Sequence, residues 1–391
     1  MTRRRRALAM AGVVALLLVG AWCWHLAGRA ASTPLASSDA RVVPVPASSA
    51  PSGRAAPPTH ALLKTILSRA AAPVPAAAAP VWDLCGIGRL PRPPGATASA
   101  SDLFTDLPAH LGAAPTAAAM DKLFAALDAG NSRWRAAAVL LRGTDAEGRH
   151  ALSALSALSA LSALAASSPD PVVASWVLLR CGHPNRCAAS DAQRWVDLEP
   201  DNLAAWLSII EVQPERKAEI LLRAPATRRF DLHHRDLLAT VLQAMPADVL
   251  PYVQMHVWVY VIGVEAAFGI FGPQILGAYC RPAPPPGSQR QQDCAAIAQV
   301  LLGASEHLIG HWIGVRLAEL SGTPKVQIDA WKAESRLWLG AASGVMSEQQ
   351  PLSCDAVAHT RAWLQLRSRL GELAALKALH AEAVAASAPA R

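Results

Sequence analysis

From residue 101 to residue 386, apolar positions recur every three or four residues and the period-two alternation of strands is scarce. That spacing lines up one face of an α-helix. Ala, Leu, Glu, Gln and Arg, all good helix formers, dominate the stretch. The pattern predicts an all-α body. Breaks at Gly130-Asn131, Pro169-Asp170 and Pro200-Asp201 divide its first half into short runs, as stacked helix hairpins require. One run is unusual: from Ala151 to Ala165 the chain repeats Ala-Leu-Ser every three residues. Three steps of about 100° fall short of a turn, so Leu152, Leu155, Leu158, Leu161 and Leu164 wind around their helix. Such a helix should touch neighbours on several sides. Tyr252 to Tyr279 is apolar but holds Gln254, His256, Glu265 and Pro273. A charge near a bilayer centre costs about 2.5–3.5 kcal/mol, so a buried helix or helix pair is expected there, not a membrane span.

Ahead of the body, Arg3, Arg4, Arg5 and Arg6 precede an uncharged stretch from Ala7 that continues to Gly28. About 20 apolar residues cross a bilayer, and the arginines favour the cytoplasmic side. The expected organisation is a basic stub (1–6), a single-pass transmembrane anchor helix in a bacterial inner membrane (7–28) and a tether (29–100). An all-helical periplasmic domain (101–386) and a tail (387–391) follow. The domain divides into hairpins (101–245) and a C-terminal helical part (246–386). A cleaved signal peptide, or a lipoprotein signal at Cys23, is the rival reading of the same segment. Residues 31–98 hold 12 of the 30 prolines, as an extended tether would. Within it, Leu62, Leu63, Ile66 and Leu67 share one helical face, and Trp82 and Cys85 suggest attachment to the body. Gly86-Ile87-Gly88 lacks the third glycine and preceding strand of a phosphate loop and reads as a turn.

Composition narrows the class. The chain is 52% hydrophobic and 17% charged, which excludes a wholly disordered protein. Its net charge is +7, yet residues 1–100 carry 11 Lys/Arg against 2 Asp/Glu, so the rest is near neutral. No basic surface for nucleic acid is indicated.

Six cysteines lie beyond the N-terminal apolar stretch: Cys85, Cys181, Cys187, Cys280, Cys294 and Cys354. Fifteen pairings are open. Spacing favours Cys181 with Cys187 across a turn-rich pentapeptide, and Cys280 with Cys294 around a proline-rich loop. Cys85 and Cys354 would then be left as a possible third pair. A zinc site at Cys181, His183 and Cys187 is the alternative, but an exported chain favours disulfides.

The stretch from Trp195 to Leu207 places Leu198, Pro200, Asn202, Ala204 and Trp206 around a helix break. Pro200 stops one helix, Asn202 or Asp201 can cap the next, and Trp206 can pack between them. This resembles the join between tetratricopeptide (TPR) repeats, which implies an irregular helical-hairpin solenoid. The region from Tyr279-Cys280-Arg281 through Asp293-Cys294 to Leu320 is similar to exported helical proteins of proteobacteria. That resemblance implies a fold and a compartment and brings no activity with it.

Candidate chemistry is sparse. His307 and His311, four apart after Glu306, would put two imidazoles on one helical face and could ligate one metal. The metalloprotease pattern needs Glu directly after the first His, where this chain has Leu308. Asp231-Leu-His-His-Arg-Asp236 could be an acid–base cluster; the plainer expectation is a solvated helix start capped by Asp231. Ser343 and Ser347 are expected in a loop with no base beside them in sequence, and no nucleophile elbow is present. Twelve tryptophans against three tyrosines suit helix packing, or a groove that grips a peptide. The expected function is a membrane-anchored periplasmic helical-repeat protein presenting a groove to a protein or peptide partner, without catalytic residues or cofactor. The alternative is a metal-assisted hydrolase using His307 and His311; a purely structural envelope protein is a third possibility.

Overall fold

The computed structural model describes residues 81–91, 107–142, 151–181, 187–268, 272–346 and 352–387. The expected stub and anchor, residues 29–80 and 92–100 of the expected tether, His183, Ser347 and residues 388–391 of the tail lie outside them. Fifteen α-helices, two short 3-10 turns (Pro214–Arg216 and Ala224–Ala226) and one two-stranded sheet make up the regular structure of the described residues. The body is all-α.

The sheet comes first, pairing β1 (Val81–Leu84) with β2 (Gly88–Pro91) through a turn at Gly86-Ile87. Trp82, Leu84 and Cys85 are buried. The Cys85 amide donates to the Leu352 carbonyl at 2.9 Å, so this hairpin belongs to the body although it precedes residue 101. Six helices follow: α1 (Ala113–Asp128), α2 (Ser132–Arg142), α3 (Ala151–Ser167), α4 (Pro171–Cys181), α5 (Ala189–Leu198) and α6 (Leu203–Val212). Each packs against its successor, and the three expected breaks fall between helices. The Ala-Leu-Ser helix α3 touches α2, α4 and α5, as its winding leucines require.

After the short α7 (Lys217–Arg223), the chain enters α8 (His234–Ala244) and α9 (Pro251–Ala267), which return to pack on α1. The apolar stretch 252–279 resolves into α9 and α10 (Pro273–Tyr279), a helix pair. Gln254 and Glu265 on α9 are buried, and each meets an arginine, Arg361 and Arg367 respectively. No helix among the described residues is long and apolar enough to cross a membrane. The C-terminal part comprises α11 (Gln289–Ala304), α12 (Leu308–Leu320), α13 (Lys325–Met346), α14 (Cys354–Leu370) and α15 (Glu372–Ser387). Ser343 lies on α13, not in a loop: α13 runs unbroken through the glycines at 340 and 344.

Two hydrophobic cores share α4. Val172, Val173, Trp176 and Val177 face a core built from the hairpin, α1–α3, α8, α9 and α14. Ala174 and Leu178 face the other, built from α5–α7 and α10–α13. A helix walled in on both sides must be apolar around most of its circumference, and α4 is. All six body cysteines stand in three close pairs: Cys85 with Cys354, Cys181 with Cys187 and Cys280 with Cys294. Their Cα–Cα distances of 4.5, 5.4 and 6.0 Å lie within the range a disulfide spans.

Candidate functional site

The hinge from Leu198 to Trp206 is where the site begins. Helix α5 ends at Leu198, and α6 starts at Leu203 with Asn202 as its cap. The Asn202 side-chain oxygen accepts from the Ala204 amide at 3.1 Å, satisfying a donor that helix geometry orphans. The Trp206 indole donates to the Pro200 carbonyl at 2.7 Å, fastening the turn to the helix it launches. The Asn202 amide also donates to Glu199 Oε2 at 3.0 Å and to the Asp231 carbonyl at 2.9 Å. Through the second bond the hinge reaches Asp231, 29 residues further on and just ahead of α8.

At that start His233 adopts φ 59°, and it is the one non-glycine residue with positive φ among the described residues. Its conformation turns His233 and His234 toward different surroundings. His233 Nε2 lies 2.9 Å from Glu199 Oε2, and Nδ1 lies 3.0 Å from Asp236 Oδ2. Asp231 Oδ1 accepts from the His233 amide at 2.7 Å. Burial alone would push the imidazole pKa down. The hydrogen bonds to Asp236 and Glu199 and the charges of Asp231 and Glu199 outweigh it, raising His233 to about 10. Glu199 answers in the other direction. Burial favours its neutral form, yet His233, Asn202 and the Trp195 indole hold it at about 2. The centre is therefore an imidazolium between carboxylates at neutral pH. Asp231 and His233 are buried, so the expected solvated helix start capped by Asp231 is corrected: His233 occupies the cap position.

His234 looks the other way. Its ring meets the His307 ring edge-on, with centroids 4.7 Å apart. Burial first, and the positive charges nearby second, hold the His234 imidazole well below its ordinary pKa. His307 Nδ1 is 3.8 Å from Glu372 Oε2, and the same oxygen accepts from the Leu308 amide at 3.1 Å. A carboxylate from α15 thus sits on the N-terminus of α12. Burial opposes its charge, but His307, Arg367 and the Leu308 amide bring Glu372 to about 2. Beneath it Arg367 pairs with Glu265 at 2.8 Å; burial pushes the Glu265 carboxyl up and the guanidinium opposes that. Glu306, bound to Arg235 at 2.7 Å, is pushed up to about 7 by burial and by the Asp231 charge.

The expected pairing of His307 and His311 on one helical face does not form. Helix α12 begins at Leu308, and His307 precedes it in extended conformation at φ −115° and ψ 139°. Four-residue spacing brings side chains together only when both residues are helical. His307 meets His234, whereas His311 packs edge-on against Trp338 with centroids 5.2 Å apart. No group of three or more His, Cys, Asp or Glu able to hold a metal occurs among the described residues.

A surface cleft of about 340 Å³, lined by Asn131, Ser132, Arg133, Trp134, Asp170, Ala239, Thr240 and Gln243, adjoins the polar centre through Arg133. Two helix starts form its wall. Asn131 Oδ1 accepts from the Trp134 amide at 3.1 Å, and Asp170 Oδ1 accepts from the Val172 amide at 3.0 Å. Arg133 grips Asp170 with two hydrogen bonds of 2.7 and 2.9 Å and reaches Asp236 at 3.1 Å. Trp134 lies across Gly130, where an added Cβ would come within 2.6 Å of it; only glycine permits that approach. Glu199 and Arg133 carry no mark in the sequence that sets them apart from surface charges, and Asp170 is marked there only as part of a helix break. The doubled histidine at a helix start was the one available signal. Comparison with models of known families, with curated proteins and with solved structures finds no match to this chain.

Proposed function

We propose that the chain is an exported binding module: a helical body, tethered to the inner membrane by residues 7–28 with its C-terminal domain in the periplasm, that holds an extended peptide segment of a partner protein in the Asn131–Gln243 cleft. The observation that carries this reading is the cleft itself. Its volume falls within the range of ligand sites, and its wall is held by charge-assisted bonds before any partner arrives. Trp134 and Arg133 are the residue types that anchor interfaces, and Thr240 and Gln243 offer polar groups suited to a peptide backbone. The sequential helix pairs α1–α6, with the capped hinge at Asn202, support a TPR-like reading of this part of the body. Three close cysteine pairs favour an oxidising compartment.

A photo-crosslinking amino acid at Gln243 tests the cleft in cells. It should join the full chain to a small set of polypeptides, and Ala239→Trp, which fills the cleft, should abolish those products. Identical products with and without the block would contradict the reading, as would none at all.

A further inference from the structure

Helix α13 is apolar on two opposite faces, and among the described residues the body covers one of them. Ile328, Ser335 and Trp338 are buried and Trp331 is half-buried, on the side packed against α12, α14 and α15. Those buried positions are spaced three-four-three; on the opposite side Val326, Ala330, Ala333 and Leu337 are spaced four-three-four, and all four are exposed. Val326 is 78% exposed and Leu337 54%. A peripheral helix needs one apolar stripe, and a second at coiled-coil spacing is the pattern of a helix with a further partner.

We propose that this face binds a second copy of the chain, α13 against α13 in antiparallel orientation about a two-fold axis near Ala333. The flanking charges choose both occupant and direction. Asp329 and Arg336 border the stripe on one side, each directly before a stripe residue, and Glu334 borders it on the other. In an antiparallel pair like flanks meet, so each Asp329 faces the partner's Arg336, twice over by symmetry. A parallel pair would set Asp329 against Glu334, like against like. Lys325 and Lys332 already have partners within the chain, Asp329 at 2.5 Å and Glu319 at 3.5 Å. Ala330 and Ala333 at the centre let the backbones approach closely. The shared surface is small, so the dimer is weak and depends on concentration.

Sedimentation velocity of the full chain in mild detergent, over concentrations on the order of 1–100 µM, tests this. The 41.1 kDa chain should shift reversibly toward twice its mass. Asp329→Arg and Arg336→Asp should each weaken association about tenfold, and the double swap should return it to within about threefold of the original. That recovery separates pairing from misfolding. Leu337→Asp should give monomer with unchanged helix content by circular dichroism. A monomer at every concentration would overturn the proposal, and so would a dimer indifferent to Leu337→Asp or a double swap that fails to recover. A photo-crosslinker at Val326 that joins the chain only to another polypeptide or to lipid would overturn it in favour of that occupant.

Discussion

At the scale of single residues, His233 decides how the interior is wired. A left-handed non-glycine backbone costs on the order of 1–3 kcal/mol and persists where its surroundings hold it. Here Glu199, Asp231 and Asp236 do so. The same contacts tie stability to pH. His233 is raised from 6.5 to about 10, so the folded chain keeps a proton that the unfolded chain loses between those values. Its contribution is complete below about pH 6.5 and fades as pH rises toward 10. Glu199, lowered from 4.5 to about 2, contributes above about 4.5 and fades as pH falls toward 2. Denaturant unfolding from pH 6 to 10 should therefore show stability falling. His233→Gln should be less stable at pH 6 and lose less between pH 6 and 10. Parallel pH profiles for the two proteins would show that His233 is not charged in the folded state.

At the scale of elements, the hinge between α5 and α6 shows what can be read from sequence. Pro200 and Asn202 act within a few residues of where they stand, so the break and its cap were legible. The helix pair over 252–279 was legible too, because Glu265 and Gln254 argue against lipid wherever they fold. His307 and His311 show the limit. Spacing places two residues on one face only if the helix includes both, and α12 starts one residue too late. What delays it is tertiary: Glu372, 64 residues away, caps the Leu308 amide. Glu199 was illegible for the same reason, since its partner His233 lies 34 residues on. Asn202 joins the local and the distant, capping α6 while bonding Glu199 and Asp231. Losing a cap costs about 1 kcal/mol, and stranding buried polar groups adds about 1–2 more. Asn202→Ala should lower unfolding free energy by about 2–3 kcal/mol at an unchanged denaturant slope; a loss below about 0.5 kcal/mol would show that the hinge carries little.

At the scale of the whole molecule, Cys85 on the N-terminal hairpin meets Cys354 at the start of α14, 269 residues apart in sequence. The hairpin amide of Cys85 and the Leu352 carbonyl already hold the two ends together, so the bond would fix a contact that packing forms. In a model of chain entropy, closing so long a loop restricts the unfolded chain by on the order of 5 kcal/mol. A bond of that kind is favoured in an oxidising compartment, to which the N-terminal arginines and apolar stretch would deliver the body if they act as a membrane anchor. Export is thus the premise that the compartment, the cysteine pairing and the peptide-holding role share. Peptide mapping under non-reducing conditions, on chain recovered from cells after rapid alkylation, tests it most directly. Cys85 should be found joined to Cys354, Cys181 to Cys187 and Cys280 to Cys294. Alkylated, free thiols at those six positions would place the body in a reducing compartment and contradict it.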